Sequence, residues 1–262
     1  MMDQNILVRK LEGYAPLKER SKQILRDLSE RQVSLVDAGS VIIEDGDKPD
    51  DICLIVEGWA ARYKVSHEGG RRIMAFLLPG DFCELEIAVL EQMDHAIMAL
   101  TPCKVARLDS EAVKRILAED PALADALRWM TLVEGAILRQ WVVNGRRQAS
   151  AAFAHLLCEL YIRMKSIGLL DGDRLLLPLT QEELTDALGL STVHTNRTLQ
   201  RLRERGLIEL EGGILAIPDF AALADAGGFD DNYLHRRSSR ADSLSRPRSG
   251  RWSAPIDSLS SA

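Results

Sequence analysis

Residues 179–217 read LTQEELTDALGLSTVHTNRTLQRLRERGLIELEGGILAI, and this stretch decides the fold. Thr180-Gln181-Glu182-Glu183 has the capping-box form, a hydroxyl N-cap with a carboxylate three residues on, so a helix is expected to start there. Leu184, Ala187 and Leu188 then share a face at helical spacing. Gly189 allows a sharp turn that a Cβ would hinder. Ser191 is the next N-cap candidate, and Thr192 through Arg205 can run as a second helix until Gly206 stops it. Two short helices joined by a glycine turn form a helix-turn-helix, whose second helix enters the major groove of DNA.

The second helix sorts its residues by face. Thr195, Leu199 and Leu202, with Thr198 alongside, are expected to pack inward. Thr192, Val193, Asn196, Arg197 and Gln200 then point outward, where arginine can bond guanine in two places, asparagine can bond adenine, and valine or threonine can touch a thymine methyl. The candidate DNA contacts are Thr180, Gln181, Ser191, Thr192, Val193, His194, Asn196, Arg197, Gln200 and Arg201. Leu207 to Leu210 and Ile214 to Ile217 flank Gly212-Gly213 and read as a hairpin, the wing. The alternative is an ordinary helical hairpin with a solvated polar face. The capped turn, the groove-type side chains and the wing together favour DNA binding.

The same residues resemble the Crp/Fnr transcription regulators. The resemblance rests on Leu179-Thr180-Gln181-Glu182-Glu183-Leu184, Gly189-Leu190-Ser191, Asn196-Arg197-Thr198-Leu199 and Arg205-Gly206-Leu207-Ile208, and it spans about residues 20–220. It implies an α+β chain: an N-terminal double-stranded β-helix (a jelly-roll-like β-roll), a long dimerisation helix and a C-terminal winged helix-turn-helix. It also implies a homodimer on double-stranded DNA, with RNA polymerase as a partner. Family members commonly carry a glutamate where Val193 stands, so the operator is expected to differ from theirs at that base pair.

A chain of 262 residues with a formal charge of −6 is long enough for two domains and is no bulk polycation. Local charge matters more for groove binding, and residues 197–205 carry four arginines against Glu204 alone. No apolar run is long enough to span a bilayer, and charged residues interrupt the leader, so a cytoplasmic location without membrane attachment is expected. Cys53, Cys83, Cys103 and Cys158 are scattered, whereas metal and iron–sulfur sites need clustered ligands. Neither a metal site nor an iron–sulfur cluster is expected; the cysteines read as small buried hydrophobes.

Upstream, residues 1–30 suit short amphipathic helices broken near Gly13 to Pro16. Residues 31–118 change to short β runs punctuated by glycine: Val33 to Val36, Val41 to Ile43, Ile52 to Val56, Ala60 to Val65, Ile73 to Leu78 and Lys104 to Leu108. Such spacing indicates a closed or sandwiched β structure. In the resembled family this is a roll like cyclic-nucleotide-binding domains. Nucleotide-binding relatives place Gly-Glu after the Gly-Asp-Phe turn, then an arginine and a hydroxyl residue. Here Gly80-Asp81-Phe82 leads into Cys83-Glu84-Leu85-Glu86, and the downstream positions are Asp94-His95-Ala96. Asp94 would repel a phosphate by about 1 kcal/mol in water and about 4 kcal/mol if partly buried. His95 offers a cation only when protonated. Glu84, Asp94 and His95 therefore mark a candidate effector pocket for which cyclic AMP is not the expected ligand. Arg71 and Arg72 could supply charge, but beside Gly69-Gly70 they are expected in an exposed hairpin turn.

Ser110 is a candidate cap for a short helix, and Asp120-Pro121 for the long one, 119–145. Leu123, Leu127, Met130, Glu134, Ile137, Trp141 and Asn144 follow at four- and three-residue spacing, the seam of a two-stranded coiled coil. The alternative is a helix packed only on its own roll. Asn144-Gly145-Arg146-Arg147 reads as a hinge into a DNA-binding domain at 146–222, whose first helix holds His155 as a hydrogen-bonded structural residue. Residues 228–262, rich in serine and arginine, are expected to be disordered.

The sequence thus reads as a transcription regulator whose roll senses an effector or redox signal. A roll that only scaffolds an effector-independent dimer is the second reading. No nucleophile–base pair or phosphate-cradling glycine loop supports an enzyme, and no catalytic residue is assigned.

Overall fold

The structure is a computed structural model that describes residues 3–86 and 89–236. Two helices, α1 (Ile6–Glu12) and α2 (Glu19–Glu30), lead into seven strands: β1 (Val33–Val36), β2 (Val41–Ile43), β3 (Asp51–Glu57), β4 (Ala60–Val65), β5 (Arg71–Leu77), β6 (Ala96–Ala99) and β7 (Cys103–Asp109). They form two antiparallel sheets, ordered β1-β7-β3 and β2-β6-β4-β5. Their inner faces bury Ile52, Leu54, Val105 and Ile97 in one core, which α1 and α2 extend through Leu7, Leu11 and Leu25. The sequence reading missed β6. Ala96-Ile97-Met98-Ala99 is short, carries one β-branched residue and shows no apolar–polar alternation.

Helix α3 (Ser110–Glu119) follows β7, and its cap is Asp109, not Ser110: the Asp109 carboxylate accepts from Ala112 N at 2.5 Å while Ser110 is already helical. Asp120 caps α4 (Pro121–Asn144) as expected, accepting from Leu123 N, with Pro121 at the first helical position.

The expected coiled-coil seam is corrected. Leu123, Leu127, Met130 and Ile137 are buried within the chain, in the core they share with the roll. The polar residues of that stripe make their contacts inside the chain, with Asn144 Oδ1 left without a hydrogen bond among the described residues. Asn144 donates to Ala152 O at 3.0 Å, Trp141 Nε1 donates to Glu159 at 3.3 Å, and Glu134 lies 3.8 Å from Arg62. Helix α4 carries a second apolar stripe, and that one is bare: Leu132 is 52% exposed, Leu138 50% and Val142 71%. With Gly135 these recur every three or four residues. Two apolar stripes on one helix cannot be told apart by spacing, so the sequence alone could not say which of them the chain itself buries.

Beyond the hinge come α5 (Ala149–Ser166), β8 (Arg174–Leu176), α6 (Gln181–Leu188), α7 (Thr192–Glu204), β9 (Glu209–Glu211), β10 (Ile214–Ala216) and α8 (Phe220–Gly227). Strands β8, β10 and β9 make a three-stranded wing. The chain then makes a 3-10 turn over Asp231–Leu234 that buries Tyr233 and Leu234. Residues 228–236 are therefore ordered, contrary to expectation, because three apolar side chains (Phe229, Tyr233, Leu234) find a place against α4 and α5. The rest of the expected disordered tail, 237–262, lies outside the described residues.

Candidate nucleic-acid interface

The helix-turn-helix is built as its sequence dictates. Thr180 Oγ1 accepts from Glu183 N at 3.2 Å and Glu183 Oε2 accepts from Thr180 N at 2.6 Å, closing the capping box of α6. Gly189 ends α6 at φ +66°, a left-handed backbone that a side chain would strain. Ser191 Oγ then accepts from His194 N at 3.3 Å and caps α7. Thr185 donates to Gln181 O at 2.7 Å, so its oxygen accepts from Thr195 Oγ1 at 3.0 Å and pins the two helices together.

Each face of α7 is as expected. Thr195, Thr198, Leu199 and Leu202 are buried, the leucines against Leu184 and Ala187 of α6 and Leu156 and Leu160 of α5. Thr192, Val193, His194, Asn196, Arg197, Gln200 and Arg201 are exposed, as are Thr180, Gln181 and Ser191 at the helix starts. Gln200 Nε2 is held by Glu204 at 3.0 Å, which leaves its carbonyl outward. The N-termini of α6 and α7 add unpaired backbone N–H groups and a partial positive charge, both suited to phosphate.

The β-roll reaches this domain through two ionic contacts that the sequence reading missed. Arg71, at the start of β5, donates through Nε to Asp186 on α6 at 2.7 Å and lies 3.7 Å from Glu182. It is thus a domain tie, not an exposed turn residue. The second contact is buried. Asp81, of the Gly80-Asp81-Phe82 turn, accepts from Lys10, from Leu78 N at 2.8 Å and from Arg163 on α5 at 3.1 Å. Burial alone would raise the Asp81 carboxyl, but these partners outweigh it and hold it below the usual range. Arg163 also bonds Glu159, which accepts from Tyr233 at 2.8 Å. Glu159 and Arg163, four apart on a largely apolar helix, were the available signal.

Glu84, Asp94 and His95 all line one cavity of about 430 Å³ beside α4. His95 is buried while the Asp94 side chain is 85% exposed at the rim, their contact being Nδ1 to Oδ1 at 2.6 Å. Asp94 thus lies in solvent, where a carboxylate and a phosphate about 4 Å apart would repel by about 1 kcal/mol. His155 is a structural residue, stacked on Tyr233 at 5.9 Å with its Nε2 3.3 Å from the tyrosine hydroxyl. All four cysteines are buried and unpaired, and burial pushes the Cys158 thiol up to about 12. Among the described residues no cluster of three or more metal-ligating side chains occurs, and no helix is long and apolar enough to cross a membrane.

Comparison with known proteins agrees with this architecture. The cyclic nucleotide-binding domain family matches residues 34–120 and the Crp-like helix-turn-helix domain family matches residues 152–226, together more than half of the chain. The chain is 29% identical over 200 residues to the transcriptional activator protein FnrL of Cereibacter sphaeroides, covering 74% of this chain and 80% of that protein. It is 27% identical over 191 residues to the nitrogen fixation regulation protein FixK of Bradyrhizobium diazoefficiens, covering 71% and 78%. The solved structure of FixK2 from Bradyrhizobium japonicum shares the fold with a TM-score of 0.65 at 22% identity, covering 74% of this chain and 96% of that one. The chain belongs to the Crp/Fnr family of DNA-binding transcription regulators.

Proposed function

We propose that the protein works in the cytoplasm as a homodimer that reads an inverted repeat in double-stranded DNA through two copies of α7. RNA polymerase is its partner, the β-roll is its effector sensor, and no catalytic step is involved. The observation that carries this reading is the sorting of α7, in which every groove-type side chain is exposed and every packing residue is buried. The bare stripe of Leu132, Leu138 and Val142 supports dimerisation, since burying the exposed half or more of each would gain roughly 1–2 kcal/mol. The name of FnrL, a transcriptional activator, supports RNA polymerase as partner. Control follows if an effector binds one arrangement of roll and reading domain better than another. Selection from random duplexes with the full-length protein tests this. An inverted repeat with half-site centres roughly 34–36 Å apart is expected; an unrepeated site would contradict it.

A further inference from the structure

The cavity beside α4 joins parts of the chain that a roll alone would not join. Lys10 of α1, Arg62 of β4, Glu134 of α4, Arg163 of α5 and Leu234 of the C-terminal turn all contribute to its wall. Its volume falls within the range of small-molecule sites. A molecule in it would touch sensor and DNA-binding domain at once.

Two residues of this wall hold buried polar atoms that meet no hydrogen-bond partner among the described residues, Arg62 Nε and His95 Nε2. Leaving such atoms unmet is costly, so each is a place where a ligand gains. Arg62 Nη2 donates to Cys83 O at 2.7 Å and lies 3.8 Å from Glu134, while the buried Nε has no hydrogen bond among the described residues. His95 Nδ1 faces the Asp94 carboxylate, which can only accept, so the neutral ring carries its proton there and Nε2 accepts. Arg62 pairs with Ile97 across β4 and β6. His95, two residues before Ile97, therefore lies diagonally from Arg62 on the same face, roughly 7–8 Å away.

The remaining cations favour a small head group. Lys10 and Arg163 are both engaged by Asp81, and Arg236 donates to Ser166 O at 3.5 Å. One guanidinium edge suits the two oxygens of a carboxylate, whereas a phosphate calls for several donors. Met74, Phe76, Met130, Ile137, Leu138 and Leu234 supply apolar wall for a body behind the head.

We propose that this cavity binds a small amphipathic carboxylate, its head on Arg62, a hydroxyl or N–H donated to His95 Nε2, and its apolar body between β5 and α4. The head takes the place of Glu134 beside Arg62. This assignment rests on the sensor role proposed above, and it names the ligand class that such a sensor would take.

Calorimetry on the full-length protein tests it with three matched probes: hydroxyphenylpropanoate, its amide and tyramine. The carboxylate is expected to bind with a dissociation constant below about 1 mM. The amide is expected to bind about tenfold more weakly, the loss of one charge-assisted bond, and tyramine not measurably. Arg62→Met should lose the carboxylate. Because Arg62 also supports Cys83 O, a second variant is needed: Glu134→Gln, which removes the competing carboxylate, should strengthen binding. Equal affinity for carboxylate and amide, no heat with any probe, tighter binding of cyclic AMP than of the carboxylate, or no gain in Glu134→Gln would each overturn the proposal. A parallel gel shift separates the two readings. Operator binding kept while no carboxylate binds rejects the ligand alone; carboxylate binding kept while no operator is found rejects the DNA reading.

Discussion

Arg71 and Asp186 stand 115 positions apart in sequence, yet Arg71 Nε lies 2.7 Å from Asp186 Oδ2 and ties the roll to the first helix of the helix-turn-helix. Arg71 keeps 26% of its side chain exposed and Asp186 17%, so the pair is partly screened. A double-mutant cycle with Arg71→Ala and Asp186→Ala, read on the thermal midpoint, should give a coupling of about 0.5–1 kcal/mol that shrinks in salt. Strictly additive single effects would show that the domains do not dock through this pair.

The bare stripe on α4 predicts where the proposed dimer can be broken. Val142→Glu or Leu138→Glu puts a charge into the contact and should yield monomers in sedimentation at micromolar concentration, with the fold retained. Leu127→Ala or Met130→Ala, on the stripe that the heptad spacing marks, should instead lower stability by about 2–5 kcal/mol, because these side chains fill the monomer's own core. Monomers from the buried stripe with full thermal stability would reverse the assignment.

Arg197 is exposed on α7, on the face that the packing residues leave outward. Arg197→Ala should weaken operator binding by about 1–3 kcal/mol per half-site and relax preference at one guanine. Val193 cannot accept a hydrogen bond from cytosine, so Val193→Glu should change the selected base pair rather than the affinity alone. Unchanged selection profiles in both variants would mean that another surface reads the DNA.

His155 links stability to pH. Burial first, and the charge of Arg147 second, pull its pKa down to about 4 from an ordinary 6.5. The folded state therefore holds it neutral while the unfolded chain takes up a proton below 6.5. Its contribution is intact above pH 6.5 and is lost as pH falls towards 4, up to about 3 kcal/mol. In His155→Gln the decline in stability between pH 6.5 and 4 should flatten; identical slopes would discount the histidine.

Local rules carried the reading domain almost whole. Thr180, Gly189 and Ser191 act through their immediate neighbours, so capping box, turn and second cap were legible in ten or so residues. The same holds for Asp120-Pro121. What could not be read was what faces what. Leu123 and Leu132 sit on equally apolar stripes of one helix, and only the packed roll decides which is buried. Arg71, Arg163 and Asp81 find partners far along the chain, a property of tertiary packing that no local pattern encodes. Glu84, Asp94 and His95 stand out in the sequence by their departure from a phosphate site. They do meet in one cavity, but Arg62, inside a strand, has the open donor there.

The central claim, a dimer reading DNA through α7, is tested most directly by footprinting a selected operator with the full-length protein. Two protected half-sites one helical turn apart are expected, bound by two chains, both lost in Asn196→Ala combined with Arg197→Ala. With 6–10 phosphate contacts, affinity should fall by roughly 10³–10⁵ between 50 and 200 mM salt. A single half-site protected by a monomer, or protection that survives both substitutions, would contradict the claim.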